Sequence, residues 1–141
     1  MFARQVILVE GIAESIILPS LARHIVLRGD ESAIRQVEST SIIAVDGVDF
    51  GPYLKLLLGG EFPLADKVVV VTDGDKAGAT TPGQDRRTAY EDAHRSAVTA
   101  GVLAICVGEY TLEADLFGPP ENDPLLRNAW RQIHSSVACR K

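Results

Sequence analysis

The chain has 141 residues, 46% of them hydrophobic and 23% charged, with 14 Lys and Arg against 19 Asp and Glu. This length suits one domain burying roughly 68–70% of its unfolded surface, and the composition excludes a disordered or fibrous chain. The formal net charge of -5 excludes nucleic-acid binding by charge alone, because phosphate contacts need Lys and Arg.

Cys106 and Cys139 are too few and too scattered for a disulfide framework or a zinc knuckle. Cys106 lies in an apolar run and reads as a small core residue; Cys139 falls in the terminal tail. Neither a signal peptide nor an apolar stretch of membrane-spanning length is legible, so a cytoplasmic protein without a membrane partner is expected.

The first apolar run is Val6-Ile7-Leu8-Val9, followed from Ala13 by a stripe of Ala13, Ile17, Leu21 and Ile25 at helical spacing. Pro19 falls inside that helix and predicts a kink or unsettled first turns. The second run is Ile42-Ile43-Ala44-Val45. A short helix over Tyr53–Leu58 then places Leu54, Leu57 and Leu58 on one face, and Gly59-Gly60 ends it. The third run, Val68 to Val71, leads into a long loop from Lys76 to Arg86, placed where a mobile lid or substrate-contacting loop would serve. A helix over Arg86–Ala100 carries Ala89, Ala93, Ala97 and Ala100, a small-residue face for packing on a sheet. The fourth run is Val102 to Val107. The tail, residues 121–141, reads as one polar helix beginning near Asp123-Pro124, with Leu125, Leu126, Trp130 and Ile133 as its apolar side and Trp130 as its anchor.

None of the four runs alternates polar with apolar, which predicts strands buried on both faces. The βαβαβαβ order predicts an α/β, doubly wound parallel sheet. In such sheets ligands bind beyond the carboxyl ends of the strands, and each strand here delivers an acid there: Glu10, Asp46, the pair Asp73 and Asp75, and Glu109 with Glu113 and Asp115 behind it. Asp46, Glu109 and Asp115 have a sufficient explanation as turn or helix-start acids. Glu10, Asp73 and Asp75 do not. Asp73 and Asp75 flank a glycine directly after a buried strand, and Glu10 faces them if the first and third strands are neighbours. Three carboxylates so placed raise one another's pKa unless a cation sits among them. Oxygen-only ligation suits Mg²⁺ or Mn²⁺ rather than zinc. Glu14, one helical turn beyond Glu10, adds like charge at a cost of about 0.2–0.5 kcal/mol.

Val9-Glu10-Gly11-Ile12-Ala13-Glu14 and Thr72-Asp73-Gly74-Asp75-Lys76-Ala77-Gly78 resemble the Toprim signature, a glutamate after the first strand and a D-x-D after the third. Leu18-Pro19-Ser20-Leu21-Ala22, Tyr53-Leu54-Lys55-Leu56-Leu57 and Thr111-Leu112-Glu113-Ala114-Asp115-Leu116 are similar to the Toprim domain of OLD (overcoming lysogenization defect) family endonucleases. The resemblance runs from about Gln5 to Leu116. It implies a Rossmann-like, three-layer Toprim fold with a mainly parallel four-stranded sheet, the catalytic domain over residues 1–120 and an appended segment over residues 121–141. It also implies a DNA endonuclease using two Mg²⁺ or Mn²⁺ ions. Glu10, Asp73 and Asp75 then carry over as catalytic residues and metal ligands, and Glu14 and Glu113 as further ligands. Lys76 is a candidate phosphate contact; Lys76, Arg86 and Arg87 read equally well as solvated loop charges. Relatives usually carry an ATPase ahead of this domain, and no G-x-x-x-x-G-K-[ST] occurs here, so the ATPase is expected on another segment or subunit. RNA as substrate and a homodimer both stay open.

A haloacid-dehalogenase-type phosphatase also uses D-x-D, but on its first strand, and a response-regulator receiver wants paired acids after its first strand. A non-catalytic Toprim binding module is the rival from another class. Tyr53, Tyr90 and Tyr110 read as packing residues, and His24, His94 and His134 lack ligand spacing.

Overall fold

The computed structural model describes residues 4–134, so Cys139 and the end of the expected tail helix lie outside the described residues. Its elements are β1 (Gln5–Val9), α1 (Ile12–Leu21) with a π-helical continuation (Ala22–Val26), α2 (Glu31–Glu38), β2 (Ser41–Ala44), α3 (Gly51–Leu58) and β3 (Lys67–Thr72). After these come α4 (Pro82–Ala93), α5 (Arg95–Thr99), β4 (Leu103–Val107), α6 (Leu112–Phe117) and α7 (Asn122–Ile133).

All four strands are parallel, in the order β2-β1-β3-β4. From β1 the chain steps outward to β2, then crosses back to β3 and on to β4. Right-handed crossovers put helices on opposite faces when the direction of winding reverses. Hence α1 lies against β1 and β2, while α3, α4 and α5 supply Leu54, Tyr90, Ala97 and Val98 to the cluster built on Val6, Leu8, Val68, Val70, Leu103 and Ile105. The reversal falls between β1 and β3, the place where open α/β sheets bind ligands. Glu10 and Asp73 are the residues just past those two strands.

Only one sheet face is fully covered, which corrects the expectation of strands buried on both. On the other face Val9 is buried under α1, but Val69 and Val71 are half-buried and Ala104 and Cys106 are exposed. Cys106 is therefore no core residue. An apolar run shows that a strand can be covered; which faces are covered depends on where the helices pack.

The helices also differ from expectation in their boundaries and in the faces they bury. Glu31–Glu38 is a helix that the apolar stripe did not announce: Asp30 accepts hydrogen bonds from the backbone N–H groups of Ser32 (3.1 Å) and Ala33 (2.9 Å), and Ile34 is its buried residue. Pro19 sits within α1, which continues past it before widening into the π-helical turn. Ile25 of the expected stripe is 67% exposed. The long helix breaks at His94, and α4 begins at Pro82, four residues before the expected start, so the loop is shorter than expected. Proline at the first helical turn loses no hydrogen bond and has its φ already set. In α4 it is Gly83, Arg86 and Tyr90 that face inward, whereas Ala89, Ala93 and, beyond the break, Ala100 face solvent. Trp130 is 59% exposed and stacks on His134 (centroids 3.9 Å apart) rather than anchoring α7 in a core.

Phe50 closes the core beneath α3. It is fully buried, its N–H donates to Tyr90 Oη (3.0 Å), and its ring meets the Tyr90 ring edge-on at 6.2 Å. Phe50→Ala is expected to destabilise the protein by about 3–5 kcal/mol in urea titrations. A loss below about 1 kcal/mol, the range of surface changes, would show that this cluster is not the core.

Candidate metal centre

The β1–β3 register pairs Val9 with Val71, so Glu10 and Thr72 leave the sheet side by side. Glu10 Oε1 accepts from the Asp73 N–H at 2.8 Å and from the buried Thr72 hydroxyl. The first-strand glutamate is thereby fastened to the start of the D-x-D turn. Thr72 had no functional reading in the sequence; as the last strand residue before the acids, its hydroxyl orients Glu10.

Asp73 is half-buried, and its carboxyl is pushed up from 3.8 to about 6, first by loss of hydration and then by the charges of Glu10, Glu14 and Asp75. The Leu112 backbone N–H, at the start of α6, pulls the other way. The structure thus brings Glu10, Glu14, Asp73 and Asp75 into electrostatic contact. Glu14 is turned back, accepting a hydrogen bond from the Gly11 N–H at 3.0 Å, where a carboxylate gains from the positive end of α1. That gain offsets the like-charge cost expected at this position. Glu113 occupies the first turn of α6 and is exposed.

Asp75 takes a left-handed conformation (φ 50°), and its carboxylate pairs with Arg86 Nη2 at 2.9 Å. The same nitrogen lies 2.7 Å from the Asp73 carbonyl, 3.2 Å from Thr72 Oγ1 and 3.5 Å from Glu10 Oε1. Arg86 is thus a member of the acidic cluster and not a solvated loop charge. The legible signal was Thr81-Pro82, a helix start that puts Arg86 one turn inside α4, on the face of Gly83.

Lys76 forms an ion pair with Glu109 at 2.7 Å and lies over the half-exposed Tyr110 ring, 5.7 Å from its centroid. The Glu109 carboxylate raises its pKa. Asp46 takes a left-handed turn (φ 58°), in keeping with its reading as a turn acid.

The acidic turn is held by close backbone approach. Gly74 N–H donates to Tyr110 O (2.8 Å), and Gly83 N–H donates to Gly74 O (3.0 Å). A Cβ on Gly74 would stand 2.3 Å from the carbonyl oxygens of Gly108 and Glu109. The loop after β4, the D-x-D turn and the start of α4 are therefore locked together.

Every donor near Asp73 is an oxygen, which suits a hard divalent cation. Among the described residues, no group of three or more His, Cys, Asp or Glu side chains is gathered so as to hold a metal ion. The reasons are visible in the partners: Glu14 caps α1, Asp75 is paired with Arg86, and Glu113 faces water. Among the described residues, no helix is long and apolar enough to cross a membrane.

No curated protein matches the chain. Among the solved structures that share its fold are the C-terminal regions of two OLD proteins. The C-terminal region of the Burkholderia pseudomallei OLD protein superposes with a TM-score of 0.65 at 25% identity, over 100% of this chain and 68% of that one. The C-terminal region of the Xanthomonas campestris pv. campestris OLD protein does so with a TM-score of 0.63 at 23% identity, over 99% of this chain and 67% of that one. The family model of the overcoming lysogenization defect protein-like TOPRIM domain matches residues 1–75, which hold Glu10, Glu14, Asp73 and Asp75. The chain belongs to the OLD-like Toprim family.

Proposed function

We propose that this domain hydrolyses phosphodiester bonds in DNA as a divalent-metal-dependent endonuclease. The observation that carries the reading is the Glu10 carboxylate hydrogen-bonded to the Asp73 backbone at the β1–β3 switch point, in a chain of the OLD-like Toprim family. Glu10, Asp73 and Asp75 would hold Mg²⁺ or Mn²⁺, with Glu14 and Glu113 as further ligands and two ions as the full complement. When bound, such ions supply charge neutralisation at the scissile phosphate and lower the pKa of a coordinated water. Glu10, anchored by Thr72 and Asp73, would move a proton at its Oε atoms. Metal would also supply the positive charge that a domain of net charge -5 lacks for meeting a phosphate backbone. Lys76, paired with Glu109, would be a phosphate contact. Residues 1–120 are the catalytic unit in this reading and residues 121–141 an appendage. The partners are DNA, an ATPase segment or subunit, and a second copy in a homodimer.

Nicking of supercoiled plasmid in Mn²⁺ or Mg²⁺ tests the reading. Wild-type protein is expected to nick, and Asp73→Asn and Glu10→Gln each to lose at least about 100-fold, beyond the 10–100-fold typical of outer-shell changes. Nicking that survives both substitutions would place the chemistry elsewhere. A second reading, a non-catalytic nucleic-acid or partner-binding module, draws on the ion pairs that Arg86 makes with Glu10 and Asp75. It predicts DNA retention on a filter without metal-dependent nicking.

A further inference from the structure

One nitrogen of Arg86 is surrounded by four oxygens: the Asp73 carbonyl at 2.7 Å, Asp75 Oδ2 at 2.9 Å, Thr72 Oγ1 at 3.2 Å and Glu10 Oε1 at 3.5 Å. A guanidinium NH₂ group carries two hydrogens, so this cage offers more acceptors than the nitrogen has protons. Meanwhile Arg86 Nε is buried and has no hydrogen-bond partner among the described residues. The fit is lopsided, crowded at one nitrogen and unmet at another, and an unmet buried donor is unfavourable. A spherical cation satisfies such an oxygen cage more completely than a forked, planar one.

The placement is built in and not a chance of a long side chain. Arg86 lies in the second turn of α4, and its side chain is 19% exposed. Gly83, one turn earlier, packs so closely that an added Cβ would stand 2.4 Å from the Asp73 carbonyl oxygen. The helix start and the D-x-D turn therefore move as a unit. Arg87, the next residue, turns away and pairs with Glu91 at 2.7 Å.

We propose that Arg86 is a positioning residue that serves as the resident counter-cation of the metal centre, its guanidinium standing in a cation position that divalent metal must contest. This rests on the metal-centre reading above and adds to it a sign. Arg86 holds Asp75 and Glu10 in place without metal, and in doing so it weakens metal binding. Removing the guanidinium leaves Glu10, Asp73 and Asp75 with uncompensated repulsion, which a divalent ion then relieves more strongly.

The test is direct Mn²⁺ binding, by electron paramagnetic resonance of free Mn²⁺ and by calorimetry, on wild type, Arg86→Gln, Arg86→Lys and Asp73→Asn. Arg86→Gln is expected to bind Mn²⁺ about tenfold tighter than wild type, the scale of one charge interaction in a half-buried site. Its metal-free melting temperature should fall and its gain on adding Mn²⁺ should exceed that of wild type. Arg86→Lys keeps the charge without the fork, folds more safely, and should bind with intermediate affinity. Equal or weaker Mn²⁺ binding in both Arg86 variants, with Asp73→Asn abolishing binding in the same assay, would overturn the role of Arg86 and leave the metal centre standing. Wild-type binding that Asp73→Asn does not affect would overturn both.

Discussion

Asparagine at position 73 is expected to make the metal-free protein more stable at pH 8 while abolishing metal-dependent cleavage. The Asp73 carboxyl sits at about 6 in the folded protein against an ordinary 3.8. Below 3.8 it is neutral both folded and unfolded and costs nothing. Between 3.8 and 6 the unfolded chain releases its proton first, so stability falls as pH rises; above about 6 the whole cost is present. Asparagine removes that cost, a gain of about 1 kcal/mol once the partial exposure of the carboxyl and solvent screening are allowed for. Urea titrations at pH 3.5 and pH 8 read the effect. The variant should match wild type at the lower pH and exceed it at the higher. Equal shifts at both would mean that the charge of Asp73 is not what costs stability. The same proton competes with metal, so Mn²⁺ affinity of the wild type should fall as pH drops below about 6, approaching tenfold per unit.

Gly83→Ala is expected to destabilise the domain and disturb the D-x-D turn together. A Cβ there would lie 2.4 Å from the Asp73 carbonyl oxygen, 2.7 Å from Gly74 Cα and 2.7 Å from Val107 Cγ1. Two of the three obstacles are backbone, so neither can rotate aside. The cost should reach about 3 kcal/mol, the upper end for overpacking, and Mn²⁺ binding should weaken because the D-x-D turn moves with α4. Gly29→Ala is the control. Gly29 takes φ 90° with nothing within 4 Å of its added Cβ, so strain of about 1–2 kcal/mol is expected without change in metal affinity. Similar metal binding by the two variants would show that the turn does not depend on the close packing of α4.

Much of the frame was legible in the chain itself. Four uninterrupted apolar runs, each followed by an acid and a glycine, specify parallel strands with their carboxyl ends at one edge. Backbone hydrogen bonding and burial act on these residues wherever the chain goes, so local pattern was enough. The Toprim spacing from Glu10 to the Asp73–Asp75 pair was likewise in the order of residues, because the β1–β3 pairing brings the two together in any such sheet.

Other features were decided only in three dimensions. Cys106 sits in as apolar a run as Val70, yet one is exposed and the other fully buried; the difference is that, among the described residues, no helix covers Cys106 on its face of the sheet. Ala89 and Ala93 had the right spacing and the wrong phase, for Gly83, Arg86 and Tyr90 take the inward side of α4 instead. The Toprim resemblance implies Glu14 and Asp75 as ligands, but order along the chain does not say which partner a flexible carboxylate takes. The α1 N-terminus claims one and Arg86 the other. Sequence alone determined which oxygens reach this edge of the sheet, since strand direction carries them there. Tertiary packing decided which are free, since a cation from the helix that follows the turn competes for them at hydrogen-bond range.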